Sequence, residues 1–271
     1  MVKGAQVGGT TQSVTALIKL LEEAFPLSAQ HVPRLIHLAS DRPVVFVGDI
    51  HGDRHAVETV FSRFPRPDHI IVFLGDIVDR GSDSLGALTL IVTEKLATPS
   101  FIHLLMGNHE ARGVSRFRPA DFWDDLTSND CTDLARVLLR LPFAAWHPTG
   151  IVATHGALPD LLSMEAMDTV EPGSEAWRAM TWGDWVEADD KSVFVGSRPA
   201  FGPSAFEKRS FQLGVRLHVR SHQPSAPRFL FQDRCLTLFT SNAYNQGHRH
   251  IAQWVPGQEV STARDLQLIN I

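Results

Sequence analysis

The sequence predicts an α/β protein, and the order of its apolar segments supports this in two ways. In the first half, uninterrupted runs of Val, Ile, Leu and Phe alternate with segments of helical periodicity. Unbroken apolar strands separated by helices are typical of sheets that are covered on both faces. The second half contains more short apolar runs, and we expect it to contribute mainly strands.

The segment before the first long strand, 13–43, predicts two helices. Apolar residues recur at helical spacing over 13–25, and Ser13 is suited to be the N-cap. A second helix is expected to start at Ser28, with Pro33 tolerated only near its first turn.

From residue 44 the pattern alternates between strands and helices. The predicted segments are strand 44–48, helix 54–63, strand 70–75, helix 83–96, strand 101–106 and a helical or irregular stretch at 110–140. The later predicted strands are 151–153, 215–219, a hairpin of 229–231 with 236–239, and closing strands at 251–254 and 266–271. The long polar region 163–206 has only a weak periodic signal.

No repeat or Pro/Ser-rich linker divides the 271 residues, so we expect one domain over 1–271. In this interpretation 1–12 is a disordered lead-in and 13–43 carries the N-terminal helices. Residues 44–247 form the core of the domain, and 248–271 add the closing strands.

Composition excludes several classes of function. The formal net charge of -5 argues against a nucleic-acid partner. No apolar stretch approaches the roughly 20 residues that a membrane-spanning helix needs. Cys131 and Cys235 are far apart and form no metal-binding pattern, so we expect reduced thiols in a cytoplasmic protein. The oligomeric state is left open.

Potential metal ligands follow the predicted strands, where functional groups of such sheets collect. They are Asp49, His51, Asp76, Asn108, His155 and His222. This mixture of nitrogen and oxygen donors suits Mn²⁺, Fe²⁺, Zn²⁺ or Ni²⁺, whereas Ca²⁺ and Mg²⁺ prefer oxygen alone. Asp76 suits a central position, because one carboxylate can bridge two cations. The sequence therefore predicts a site for two divalent ions.

His109 and Asp79 predict a proton donor and the carboxylate that orients it. An imidazole titrates near neutral pH, and an adjacent negative charge raises its pKa. The alternative is that Asp79 only caps the following helix, and the two roles are compatible. Glu110 is expected to cap or pair locally.

Arginines near these strand ends are candidate phosphate ligands, because a guanidinium can bind a phosphate with two hydrogen bonds. Arg80 follows Asp79 directly, and Arg198 and Arg220 are further candidates. For Arg220 a solvated strand face is an equally good interpretation. The cluster that contains Arg116 and Arg118 suits either an acidic substrate or a solvated face paired with nearby aspartates.

Five motifs carry a resemblance to a known family. They are GDIHG at 48–52, GDIVDRG at 75–81, GNHE at 107–110, HGAL at 155–158 and RSHQ at 220–223. Their order resembles the phosphoprotein phosphatase family of calcineurin-like metallophosphoesterases, including its bacterial and archaeal serine/threonine phosphatases. The match runs from about residue 44 to 247.

The resemblance implies a central β-sandwich of mixed sheets flanked by helices, with a dinuclear metal centre. In that family pattern one metal is held by Asp49, His51 and Asp76, and the other by Asp76, Asn108, His155 and His222. Mn²⁺ is the first choice for both ions, with Fe, Zn or Ni as alternatives.

The same resemblance assigns the remaining site residues. His109 with Asp79 is the acid pair, Arg80 binds the phosphoryl group, and Asn108 contacts a phosphate oxygen. Residues 181–184 look like the family's Trp-Ser-Asp segment, which makes Arg198 the match for its second phosphate arginine.

The implied activity is hydrolysis of phosphoserine or phosphothreonine in a phosphorylated protein or peptide, by direct attack of a hydroxide that bridges the metals. Diadenosine-polyphosphate hydrolysis, phosphotyrosine or broad phosphomonoesterase activity, and an inactive phosphoprotein-binding module are the alternatives. Two departures from the family pattern are Met106, where a basic residue often precedes GNHE, and Tyr244, which is shifted by one residue. Whether Tyr244 reaches the site is therefore open.

Overall fold

A computed structural model describes residues 13–30, 32–188, 198–244 and 249–271. The predicted lead-in at 1–12 lies outside these residues. The α-helices are α1 Val14–Ala24, α2 Arg54–Arg63, α3 Ser84–Ala97, α4 Asp121–Asp124, α5 Ser128–Leu138, α6 Glu175–Trp182 and α7 Pro203–Leu213. Two short 3-10 helices lie at Glu165–Thr169 and Ala263–Asp265.

The described strands form two large sheets and one small one. The strands are β1 Leu35–His37, β2 Val44–Val47, β3 Ile70–Phe73, β4 Ile102–Leu104, β5 Ala144–His147, β6 Ile151–Thr154, β7 Asp184–Trp185, β8 Ala200–Phe201, β9 Leu217–Arg220, β10 Phe229–Leu230, β11 Cys235–Thr237, β12 His250–Trp254 and β13 Gln267–Asn270. One sheet has the order β1-β5-β6-β9-β11-β10, the second β13-β12-β2-β3-β4, and β7 pairs with β8.

The two large sheets pack face to face, and alternate residues of each strand face different layers. In β2, Val44 and Phe46 belong to the apolar cluster between the sheets, together with Val219 of β9. Val45 and Val47 belong to the cluster that includes the apolar faces of α1, α2 and α3. Burial of both faces explains why the strand is apolar without alternation. The predicted α/β fold, a β-sandwich of mixed sheets flanked by helices, is confirmed.

The first N-terminal helix is confirmed and the second is wrong. The Ser13 side chain accepts a hydrogen bond from Ala16 N and caps α1. Where the second helix was predicted, the chain forms β1, and Leu35 pairs in parallel with Ala144 of β5. Pro33 lacks an N–H donor, and the sheet edge next to β5 satisfies the backbone that follows it.

Both large sheets contain parallel neighbours, so several strands end at the same edge. β2, β3 and β4 run parallel in one sheet, and β6, β9 and β11 run parallel in the other. The predicted ligands follow five of these strands. No helix in the described part of the chain is long and apolar enough to cross a bilayer.

Candidate metal centre

Tight turns after the strands aim the predicted ligands at a common point. His51, Asp76, Asp79, Arg80 and His222 all have positive φ, between 44° and 72°. Residues other than Gly rarely adopt this conformation, and such strain concentrates at functional sites. The backbone here is therefore held by its surroundings.

Glu110 holds two of these turns together. Its buried carboxylate accepts hydrogen bonds from the backbone N–H groups of Asp76, Ile77 and Gly107 at 2.7, 2.8 and 3.0 Å. The prediction of a local cap understated this role, because the contacts join the turn after β3 to the turn after β4. Burial raises the pKa of Glu110 to about 7.

One part of the cluster is formed by His51, Asp49 and Asp76, all nearly inaccessible to solvent. His51 Nδ1 lies 2.9 Å from Val78 O, so that it donates its proton there. His51 Nε2 therefore presents a lone pair, 3.6 Å from Asp49 Oδ2 and 3.7 Å from Asp76 Oδ2.

The other part is formed by His155, His222, Asn108 and again Asp76. His155 Nδ1 lies 2.9 Å from Leu74 O, which leaves the lone pair of Nε2 facing the cluster. His155 Nε2 is 3.2 Å from Asn108 Oδ1, 3.2 Å from His222 Nδ1 and 3.3 Å from Asp76 Oδ2. Asp76 is thus common to both parts, as its predicted bridging position requires.

These residues fit a divalent metal, because electron-rich atoms face one another across short gaps. Asp49 Oδ2 is buried and makes no hydrogen bond within the described residues. Ligand atoms of His51, Asp76 and His109 lie within 4.8 Å of one another, and so do those of Asp76, His155 and His222. Buried lone pairs that converge in this way need a proton or a cation between them.

The pKa shifts of the buried carboxylates and of His155 also indicate that a positive charge is favourable within the cluster. Burial disfavours charged His155, but the carboxylates of Asp76 and Asp49 outweigh it and raise the pKa of His155 to about 9. Burial would raise the pKa of Asp76, but His155 and His109 hold it well below its usual range. Burial raises the pKa of Asp49 to about 6.

His109 and Asp79 form a buried pair beside the cluster. His109 Nδ1 lies 2.5 Å from Asp79 Oδ2, and His109 Nε2 lies 3.9 Å from Asp76 Oδ2. Asp79 Oδ1 also accepts a hydrogen bond from Phe122 N. The alternative that Asp79 caps the following helix is wrong, since Asp83 is the N-cap of α3.

Arg80 lies at the open side of the cluster and Tyr244 reaches it. Arg80 Nε donates to Tyr244 Oη at 3.1 Å, and the Tyr244 ring lies 5.7 Å from the ring of His51. The open question about Tyr244 is therefore answered by its position.

The two other candidate arginines differ in exposure. Arg198 is 39% exposed, and its Nη1 lies 3.9 Å from Asp184 Oδ1. Arg220 is fully buried, and its Nε donates to Ser221 O. A solvated face is therefore the wrong interpretation for Arg220, since all of β9 is buried.

Three polar residues that support the site were not predicted. Asp184 Oδ1 lies 3.4 Å from His222 Nε2, on the side of the ring away from the cluster. Ser221 Oγ donates to Asp49 Oδ1 at 2.5 Å. Asp53 Oδ2 accepts from Arg249 Nη2 and from Asn242 N, which fixes the loop that carries Tyr244. Asp53 follows the GDIHG motif directly, Ser221 lies within RSHQ and Asp184 ends the segment 181–184, and these positions were the available signal.

A β-sandwich with buried mixed nitrogen and oxygen donors at its strand ends, and a His–Asp pair beside them, has the layout of a metal-dependent phosphoesterase. Residues 42–226 match the family described as calcineurin-like phosphoesterase. This is more than half of the chain, which therefore belongs to the calcineurin-like phosphoesterase family.

The curated proteins that this chain resembles include serine/threonine-protein phosphatase catalytic subunits. The serine/threonine-protein phosphatase 4 catalytic subunit of Kluyveromyces lactis is 33% identical over 196 residues, which are 68% of this chain and 63% of that protein. The phosphatase 6 catalytic subunit of Drosophila melanogaster is 28% identical over 217 residues, covering 74% of this chain and 71% of its own length. This chain thus spans less than two thirds of the length of the first of these relatives.

Solved structures give the same fold. A protein serine/threonine phosphatase from Saccharomyces cerevisiae, with similarity to human phosphatase PP5, superimposes with a TM-score of 0.79 at 22% identity, covering 96% of this chain and 90% of that one. A cold-active protein-tyrosine phosphatase of a psychrophilic Shewanella species gives a TM-score of 0.54 at 14% identity, covering 89% and 83%. At these identities the likeness concerns the fold alone.

Proposed function

We propose that this protein is a metal-dependent phosphoprotein phosphatase that hydrolyses phosphoserine and phosphothreonine monoesters. The observation that carries the proposal is the 2.5 Å contact between His109 and Asp79 beside the lone-pair cluster around Asp76. A proton donor next to a metal-binding cluster suits cleavage of an ester whose leaving group is an alkoxide. The serine/threonine phosphatases among its relatives support this choice of substrate.

Two divalent cations are part of the proposal, with Mn²⁺ as the preferred ion and Fe, Zn or Ni as alternatives. The residues that would hold them are Asp49, His51, Asp76, Asn108, His155 and His222. When bound, such ions polarise phosphoryl oxygens and lower the pKa of water. Elemental analysis of the purified protein tests the number and identity of the ions.

The chain's own residues bind the substrate and move one proton. Arg80 and Arg198 bind the phosphoryl oxygens, and Asn108 offers its side-chain amide to one of them. His109 Nε2 gives its proton to the serine or threonine oxygen as the P–O ester bond breaks. Asp79 keeps the His109 ring oriented through Nδ1 and stabilises its protonated form.

The acid role is tested with His109→Asn on two substrates. We expect turnover of a phosphoserine peptide to fall by roughly 10²- to 10⁴-fold, the usual worth of such catalysis. Turnover of p-nitrophenyl phosphate should fall far less, because its leaving group needs little protonation. An equal fall on both substrates, or a peptide rate within about tenfold of the parent, would contradict the role.

The substrate class is tested with a panel at one Mn²⁺ concentration. It contains phosphoserine, phosphothreonine and phosphotyrosine peptides, diadenosine tetraphosphate and bis-p-nitrophenyl phosphate. We expect kcat/KM to be highest for the first two. Faster cleavage of the dinucleotide, the phosphotyrosine peptide or the diester would replace the proposed function with that activity. Binding of phosphopeptides without turnover would indicate an inactive recognition module.

We also place the protein in the cytoplasm as a single folded domain with no nucleic-acid or membrane partner. Cys131 and Cys235 are both free thiols, which favours a reducing compartment. β12, from the C-terminal segment, pairs with β2 in the same sheet, which favours one domain rather than two.

A further inference from the structure

A basic pocket lies next to the candidate active site. It has a volume of about 380 Å³ and is open to solvent. Four arginines and two aromatic side chains stand out among its lining residues: Arg116, Arg118, Arg178, Arg198, Phe117 and Trp182. No described residue that lines it is acidic. The lining of the pocket is therefore basic, although the chain as a whole has a net charge of -5.

Phe117 and Trp182 connect this basic pocket to the metal cluster. The Phe117 ring lies 4.5 Å from the ring of His109 and 5.9 Å from that of Trp182. Trp182 in turn lies 6.2 Å from the ring of His222. The aromatic pair thus forms a wall with the cluster on one side and the arginines on the other.

Arg198 belongs to both sites, since it lines the basic pocket and lies 3.9 Å from Asp184, which backs His222. Arg116 and Arg118 are exposed and line the basic pocket together with the aromatic pair. No described residue forms an ion pair with Arg116. Arg118 lies 3.9 Å from Asp124, which also pairs with Arg112 at 3.4 Å. The Arg116 guanidinium is thus available to a ligand, and the Arg118 guanidinium can exchange a long ion pair for one.

We propose that this basic pocket is a specificity subsite for a second anionic group on the phosphoprotein substrate, an acidic side chain or a further phosphate near the residue being dephosphorylated. The proposal rests on the proposed phosphatase function. Planar guanidinium groups bind carboxylates and phosphates with paired hydrogen bonds, so the two anions share one recognition chemistry.

The geometry limits where that anion can stand in the substrate. The ring separations from His109 to Phe117 and from Phe117 to Trp182 are 4.5 and 5.9 Å. Arg116 and Arg118 are the chain neighbours of Phe117, whose ring contacts that of His109. Because an extended peptide advances about 3.4 Å per residue, we place the anion within roughly three residues of the phosphoserine.

The test compares Arg116→Gln/Arg118→Gln with the parent on four phosphoserine peptides of equal length. One has neutral flanks, one has Asp within three residues, one has a non-hydrolysable phosphonate there, and one has Lys. The control is Arg63→Gln/Arg264→Gln, which removes the same charge at exposed positions outside the basic pocket. Arg116→Glu alone is a second variant should the double variant fold poorly.

We expect the parent to prefer the Asp or phosphonate peptide over the neutral one by about tenfold in kcat/KM, as several solvent-exposed ion pairs together would give. The double variant should reduce this preference to about twofold while the neutral peptide stays within about twofold of the parent. Arg116→Glu should shift the preference towards the Lys peptide. Raising the salt concentration to 0.5 M should weaken the parent's preference, because exposed charges are screened.

The outcomes separate the two proposals. A parent that hydrolyses all four peptides equally, or a double variant that loses activity on neutral and acidic peptides alike, overturns the subsite and leaves the phosphatase function standing. A parent that cleaves p-nitrophenyl phosphate but no peptide overturns the phosphoprotein phosphatase function and the subsite with it. A preference for Asp over the phosphonate, or the reverse, identifies which anion the basic pocket selects.

Discussion

Two buried histidines beside Asp76 each have a carboxylate behind one ring nitrogen, and yet their pKa values move in opposite directions. His109 Nδ1 lies 2.5 Å from Asp79, and His222 Nε2 lies 3.4 Å from Asp184. Burial opposes charge on His109, but Asp76 and the Asp79 hydrogen bond outweigh it and raise its pKa. Burial and the charge of His155 hold the pKa of His222 well below its usual range.

The difference separates a proton donor from a metal ligand. A general acid has to carry its proton at neutral pH, whereas an imidazole ligand has to be neutral. The same carboxylate–histidine contact serves both, because distance and neighbouring charges decide which form is stable. His109 has two carboxylates close to its ring, while His222 has the imidazole of His155 at 3.2 Å.

Replacing Asp76, which belongs to both parts of the metal cluster, should have the largest effect on activity. For Asp76→Asn we expect loss of both metal ions and a fall in kcat/KM of roughly 10³-fold or more, since the paired ions depend on one bridging carboxylate. Elemental analysis and turnover of a phosphoserine peptide measure this. His51→Asn is the matched variant, and it should retain the ion on the His155 and His222 side. Retention of both ions in Asp76→Asn would show that the two sides are independent.

Asp79→Asn should impair proton donation by His109 and leave metal binding intact. We expect a fall in kcat of about 10²- to 10³-fold for a phosphoserine peptide, because the protonated form of His109 loses its partner. Metal content should be unchanged, and p-nitrophenyl phosphate should be affected much less. A loss of metal in this variant would place His109 among the ligands, as its proximity to His51 and Asp76 also permits.

Asp184→Asn removes the carboxylate behind the predicted metal ligand His222, and it should lower activity less than Asp79→Asn does. We expect metal affinity to fall by about 10- to 100-fold, since carboxylates behind ligand imidazoles orient them. Activity should recover at saturating Mn²⁺, which Asp79→Asn cannot do. A titration of activity against metal concentration distinguishes the two variants, and a defect that persists at saturation would contradict the comparison.

Most of the cluster could be predicted from the sequence because its ligands follow apolar strands directly. The Gly-Asp turns after β2 and β3 mark Asp49 and Asp76 as candidate ligands. The helical periodicity of 54–63 correctly predicts α2. Parallel strands that end at one edge then bring the turns together. Local signals were sufficient here because each ligand lies within four residues of the end of a strand.

The parts that were missed depend on contacts between distant segments. β1 is three residues long and exists through its pairing with β5, more than one hundred residues away. The contact between Asp184 and His222 joins residues 38 apart in the chain, and no periodicity predicts it. α6 has only eight residues and was hidden in a polar region. The solvated-face alternative for Arg220 failed for the same reason, because β9 is buried between strands that come from distant parts of the chain.

Replacing Tyr244 should have the smallest effect on activity, and it tests whether the Tyr244 hydroxyl helps to hold Arg80 in place. For Tyr244→Phe we expect kcat/KM to fall by about three- to tenfold, the worth of roughly one hydrogen bond to a charged group, because Arg80 Nε loses its acceptor. Metal content and the preference for acidic peptides should not change, since neither depends on this contact. Tyr244 is the only tyrosine in the chain, so this variant removes every phenol hydroxyl at once. An unchanged kcat/KM would mean that the contacts of Arg80 with Pro119 O and Asp121 are enough to position it, and that Tyr244 has no part in catalysis.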